Sequence, residues 1–178
     1  MGHALCIGID HYTKPIKDLS CCINDAKQMA ATLSRNADST KNLHVKTLVS
    51  SPEEGKQLDT DTLRKEVRAL FEKDSEVVVL YFSGHGKVDK LGNGFLVSQT
   101  GTKESPGLRM SDINQAIEQS KAKEIFLIID CCYSGFTGSI EGGKEAKIAQ
   151  IHERVSILTA STPDQLSWEG NNGLSTFT

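Results

Sequence analysis

Three apolar runs in this sequence end in residues that could do chemistry. "EVVVLYFSGHG" leads into His85, held between Gly84 and Gly86. "EIFLIIDCCYSG" leads into Asp130 and the adjacent pair Cys131 and Cys132. "ALCIGIDHY" is the third, and "CCINDA" beyond it holds Cys22 and Asp25. Glycines around a histidine let backbone approach a ligand closely. A nucleophilic cysteine needs such a neighbour. Its thiol, with a pKa of about 8.5, is only a few per cent thiolate at neutral pH, and a nearby imidazole raises that fraction. Side chains alternate along a strand, so Asp130 and Cys132 share one direction and Cys131 takes the other. Alternation alone does not choose between the two cysteines. The commonest fate of a free cysteine is that of a small buried hydrophobe, and a lone histidine is more often a surface or core residue than a catalyst.

The elements that must position these residues alternate between two periods. "ALCIGI" (4–9) reads as a short strand, and "NDAKQMAATLSRN" (24–36) sets Ala26, Met29, Ala30 and Leu33 on one helical face. "LHVKTLV" (43–49) alternates as a strand, and "TDTLRKEVRALFEKD" (60–74) is a helix with Thr60 or Asp61 as N-cap and Leu63, Val67, Leu70 and Phe71 inward. "EVVVLYFS" (76–83) and "EIFLIID" (124–130) are continuously apolar, as strands buried on both faces are. Between them Asn93-Gly94 signals a hairpin turn in "DKLGNGFLV" (89–97). Ser111 would cap a helix in "SDINQAIEQS" (111–120) whose Ile113, Ala116 and Ile117 face inward. "EGGKEAKIAQIHER" (141–154) is a surface helix or a connection, and "VSILTAS" (155–161) is a fifth strand. Strands alternating with helices imply an α/β fold with a mainly parallel central sheet and helices on both faces. In such sheets the chemistry lies beyond the carboxyl ends of the strands: after Ile9, after Phe82 and after Ile129.

Composition narrows the function classes. A chain of 178 residues suits one domain spanning 1–178, and 38% hydrophobic and 24% charged residues describe an ordinary globular protein. A net charge of −3 gives no basic footprint for nucleic acid or an anionic membrane. No apolar run approaches the roughly 20 residues a membrane span needs. A strand-like run begins by residue 3, so no signal peptide is expected, and Cys6 stands where a myristoylation motif wants Ser or Thr. Of five cysteines, four form adjacent pairs, whose members rarely bridge each other, so reduced thiols in the cytoplasm are expected. No zinc-type cysteine or histidine spacing and no glycine-rich phosphate motif occurs in the sequence.

"YFSGHG" followed by "DCCYSG" resembles the caspase-like cysteine peptidases, in their metacaspase, paracaspase and prokaryotic orthocaspase branch. The resemblance extends through "ALCIGIDHY" and "DLSCCINDAKQMAATL", in the family's order along nearly the whole chain. It implies a three-layer caspase-like fold and a dyad of His85 as base and Cys132 as nucleophile. It puts the oxyanion hole at the backbone N–H groups of Gly86 and Cys132, and no metal or organic cofactor in the chemistry. Aspartate-specific animal caspases carry glutamine where this chain has Asp130. The metacaspase-like pocket for Arg or Lys maps onto Cys22, Asp25, Ser83 and Asp130. Two carboxylates attract a guanidinium or ammonium and repel an acidic side chain. Asp25 also suits a plain role at a helix N-terminus.

The resemblance therefore implies an endopeptidase that cuts proteins or peptides after Arg or Lys, in regulated proteolysis, cell death or defence, with an unidentified regulatory partner. Lys144, Lys147 and Arg154 offer such an enzyme sites in its own connection, though a solvated helix explains them equally. Of the surface aspartates that bind calcium in calcium-dependent relatives only Asp112 has a counterpart, so calcium independence is expected. The chain stops at "NNGLSTFT", where relatives enter their small subunit, so it is expected to be the large-subunit region; Trp168, just before that stretch, suits a substrate-groove or activation-loop element or a core plug equally. Two rivals remain: a catalytically silent caspase-like interaction module, and a redox or zinc protein using the cysteine pairs.

Overall fold

The computed structural model of this chain describes residues 2–53, 55, 57–131 and 154–159. Its elements run β1 (His3–Gly8), α1 (Cys22–Ser34), β2 (His44–Val49), α2 (Thr60–Phe71), β3 (Val77–Ser83), β4 (Gly86–Val88), β5 (Gly94–Val97), β6 (Gly107–Arg109), α3 (Met110–Gln119), β7 (Glu124–Asp130) and β8 (Val155–Thr159). Five strands form one parallel sheet in the order β2-β1-β3-β7-β8. The strands β4, β5 and β6 make a small antiparallel sheet directly after β3.

The alternation of each strand decides which layer its side chains enter. Leu5, Ile7, Val78, Leu80, Phe82, Ile125, Leu127 and Ile129 point to the face covered by α2 and α3. Ala4, Cys6, Val79 and Tyr81 point to the face covered by α1. Both faces are apolar, which explains why β3 and β7 read as unbroken hydrophobic runs. The fold is the three-layer α/β architecture expected from the sequence. Leu80 is fully buried, and truncating such a side chain to alanine costs about 2–5 kcal/mol. The helical faces also agree with the periodicity: Leu63, Val67, Leu70 and Phe71 in α2, and Ile113, Ala116 and Ile117 in α3, are buried.

Helix starts and one turn differ from the sequence reading. The N-cap of α2 is Asp59, whose carboxylate accepts from the Thr62 N–H at 2.7 Å, in place of Thr60 or Asp61. Ser111 lies inside α3, which begins at Met110 without a side-chain cap. The hairpin turn is not centred on Asn93-Gly94. Gly94 opens β5, and Gly92 takes the left-handed conformation at φ 81°. Asp89 organises that loop by accepting from the N–H groups of Leu91 and Asn93. Helix α1 begins at Cys22, and its cap comes from a distance: the Asp10 carboxylate accepts from Cys22 N–H at 2.8 Å and from Ile23 N–H at 3.2 Å.

Candidate active site

In the strand order β2-β1-β3 the connections diverge on either side of β1, so a crevice opens at the carboxyl ends of β1 and β3. Three strands end level with one another there. Gly8 pairs with Ser83, and Ser83 pairs with Asp130. Helix α1 reaches this rim because Gly8 has no side chain: a Cβ there would stand 2.2 Å from the Cys22 carbonyl oxygen. That close approach brings the first turn of α1 over β3. Ser83 Oγ donates to Asp25 Oδ2 at 3.2 Å, and Tyr81, from the same face, donates to Asp130 Oδ2 at 3.4 Å.

Cys22, Asp25, Ser83 and Asp130 are thus gathered by two strands and one helix, and all four are buried. Asp25 has no exposed surface. Burial, then the nearby acidic groups against a contact with Ser83, pushes the Cys22 thiol up, so it stays neutral. Asp10, also buried, serves α1 as its cap and lines the same end of the sheet.

The turn after β3 presents His85. Its ring Nε2 lies 2.8 Å from the Lys17 carbonyl oxygen. A carbonyl only accepts, so Nε2 carries a hydrogen in this contact, which makes Nδ1 the nitrogen with the lone pair in the neutral form of the ring. The backbone of His85 is held as well: its N–H donates to Tyr12 Oη at 2.8 Å, and its carbonyl accepts from Val97 N–H at 2.9 Å. That last bond makes His85 and Val97 a hydrogen-bonded pair, so the next pair, Gly86 and Leu96, is a non-bonded one. The Gly86 N–H therefore points away from β5, outward from the edge of the small sheet.

Sequence reasoning assigned no role to Asp10, Tyr12 or the Lys17 carbonyl. All three belong to the segment between β1 and α1, whose loop identity hides which atoms it turns inward. An aromatic residue just beyond a strand end was the available signal for Tyr12.

Cys131 is buried in the cluster formed by Leu127, Ile129 and Tyr12, on the face opposite Asp130. That position is the small buried hydrophobe's, the commonest fate of a free cysteine. Cys132, Lys144, Lys147 and Trp168 lie outside the described residues. Asp112 pairs with Arg64 at 3.4 Å on the α2–α3 side of the sheet. Among the described residues no three or more His, Cys, Asp or Glu side chains are grouped to hold a metal ion. Likewise, no helix among them is long and apolar enough to cross a membrane.

The family model for the peptidase C14 caspase domain matches residues 1–178. The chain belongs to the caspase-domain family. Its fold is similar to that of caspase-1 from Spodoptera frugiperda, with a TM-score of 0.64 and 14% identity over 98% of this chain and 64% of the other. A protein from Geobacter sulfurreducens is similar at a TM-score of 0.59 and 17% identity, over 87% of this chain and 57% of that one. The caspase-domain chain spans about three fifths of the length of each. No curated protein matches its sequence.

Proposed function

We propose that this caspase-domain chain is a cysteine endopeptidase that cuts proteins and peptides after Arg or Lys, with Cys132 as nucleophile and His85 as base. The observation that carries this reading is the meeting of Asp25, Ser83 and Asp130 at the rim where the His85 turn begins. A pocket floored by two carboxylates and a hydroxyl suits a guanidinium or ammonium through charge-assisted hydrogen bonds, and disfavours an acidic side chain. Cys22, neutral, completes its wall.

In this mechanism the proton of Cys132 passes to His85 Nδ1, which the Lys17 contact leaves as the basic nitrogen. The thiolate attacks the carbonyl carbon of the scissile bond. Its oxygen becomes an oxyanion facing the N–H groups of Gly86 and Cys132. His85 then gives its proton to the departing amine as the carbon–nitrogen bond breaks. A water, deprotonated by His85, releases the acyl group and restores the thiol. No metal or organic cofactor enters any step. The setting we propose is regulated proteolysis, cell death or defence in the cytoplasm, under a partner still to be found.

Fluorogenic peptides ending in Arg, Lys or Asp, presented to wild type, His85→Ala and Cys132→Ala, test the reading. Cleavage after Arg and Lys is expected, falling at least about a hundredfold in either variant. A basic chloromethyl ketone should label Cys132 selectively. Cleavage after Asp but not Arg, or full activity without Cys132, would overturn it.

A further inference from the structure

We infer that Tyr12 is a positioning residue for His85, fixing the histidine's backbone through its phenol oxygen and the imidazole through its ring. The inference rests on the dyad reading above and asks what aims its base. His85 stands where one sheet ends and another begins. The last cross-strand bond of the main sheet at this point is Gly84 N–H to the Asp130 carbonyl, and the small sheet takes the His85 carbonyl through Val97. Neither ladder accepts the His85 N–H. Tyr12 Oη does, at 2.8 Å, from 73 residues away in the sequence. The tyrosine ring lies against the imidazole with centroids 4.8 Å apart and planes at 49°.

Two further contacts show that the site is built around this phenol. A Cβ at position 84 would lie 2.7 Å from Tyr12 Oη, so the glycine before His85 makes room for the hydroxyl as well as shaping the turn. Tyr12 is itself pinned: its N–H donates to Asp18 Oδ1 at 2.7 Å, and the next N–H, of Thr13, donates to the Gln99 carbonyl at 2.8 Å. The loop that carries Tyr12 also supplies the Lys17 carbonyl to His85 Nε2. One loop therefore holds the histidine at both ends, its backbone through Tyr12 and its ring through Lys17. Burial pushes the Tyr12 hydroxyl well above the ordinary tyrosine range, so the phenol stays neutral at any pH where a cysteine peptidase works. A base must sit within hydrogen-bond reach of the proton it moves, and a displacement of about 1 Å can cost a hundredfold in rate.

Tyr12→Phe keeps the ring and removes only the oxygen. Measured on an Arg peptide, kcat should fall about five- to twentyfold, as for loss of one hydrogen bond, with KM within about twofold of wild type. In the nuclear magnetic resonance titration of the His85 imidazole, the ring signals should move or broaden relative to wild type. Asp18→Asn, at a side chain largely open to solvent, should shift both readouts in the same direction by less, and it serves if Tyr12→Phe does not fold. Gly84→Ala should cost less in melting temperature in the Tyr12→Phe background than in wild type. Wild-type kcat and unmoved His85 signals in a folded Tyr12→Phe protein overturn the inference. So does a fall in kcat that merely matches a fall in the folded fraction. If wild type cuts no peptide at all, the proposed activity fails, while the His85 titration in the two proteins still decides the role of Tyr12.

Discussion

Ser83 and Asp130 face each other across the last residue pair of β3 and β7, and Asp25 takes the hydroxyl of that same serine from α1. Two acidic side chains from different elements therefore flank one hydroxyl inside the fold. Keeping carboxylates at a buried site is costly unless hydrogen bonds or a cation compensate them. Hydrogen bonds from Ser83 and Tyr81 supply part of that compensation. On the proposed function, the basic side chain of a substrate supplies more.

Asp130→Asn keeps the shape and an acceptor for Tyr81 but removes the charge. Hydrogen bonds to charged groups contribute about 1.5–3 kcal/mol, so kcat/KM on Arg and Lys peptides should fall roughly ten- to a hundredfold. Asp25→Asn should act in the same direction. Steady-state kinetics on matched Arg, Lys and citrulline peptides checks this. A variant that loses Arg and citrulline cleavage equally has lost its structure, not its selectivity.

Cys131 gives the opposite expectation. It is 3% exposed and packs with Leu127 and Ile129 on the face away from Asp130. Cys131→Ala should keep full peptidase activity while lowering stability by about 1 kcal/mol, the ordinary size for a small change in a core. Urea unfolding beside an activity assay reads both quantities. Loss of activity in a stable Cys131→Ala protein would return the nucleophile's identity to question.

Local periodicity carried the layers of this fold. The i, i+4 and i+7 spacing of Leu63, Val67 and Leu70 marks a buried face because α2 lies along the sheet with one side in the core. The unbroken run through β3 marks a strand covered on both sides. What the sequence left hidden is contact between segments far apart. Asp10 caps a helix twelve residues on, Tyr12 accepts from His85, and Gln99 Oε1 accepts from Leu58 N–H. None of these has a period to betray it. The four residues mapped by resemblance onto a basic-specific pocket do lie together, but the reason they converge, the missing side chain of Gly8 under α1, required the packing itself.

The cap of α2 has a pH signature. The Thr62 N–H and hydroxyl hold the Asp59 carboxyl below its ordinary value. A folded-state pKa below the unfolded one means that the unfolded chain binds more protons in the acid range. The stabilisation is therefore full above the usual carboxylate range and is lost as pH falls through the lowered pKa. Asp59→Ala should cost about 1 kcal/mol at neutral pH and less in acid, and Asp59→Asn should restore most of it at neutral pH. Thermal melts of the three proteins at pH 7 and below pH 3.5 make the comparison; a deficit that does not shrink in acid would assign it to something other than the charged cap.

Arg154 is poorly placed to be a self-cleavage site. Its guanidinium donates to the carbonyls of Ala122 at 2.6 Å, Ser120 at 2.9 Å and Ile117 at 3.2 Å, and its own carbonyl accepts from Ile125 N–H. These bonds tie the entry of β8 to the end of α3 and the start of β7. On the proposed function a P1 side chain must enter the specificity pocket, so cutting after Arg154 would first require breaking all three guanidinium contacts. Self-processing within the 141–154 connection should therefore fall at Lys144 or Lys147. Mass spectrometry of purified wild type beside Cys132→Ala should show fragments ending at those lysines in wild type alone. Arg154→Met should leave that pattern intact while lowering stability by about 2 kcal/mol, since it strands carbonyls that the charged group had satisfied. A wild-type fragment ending at Arg154 would show that these contacts open readily enough to expose the arginine.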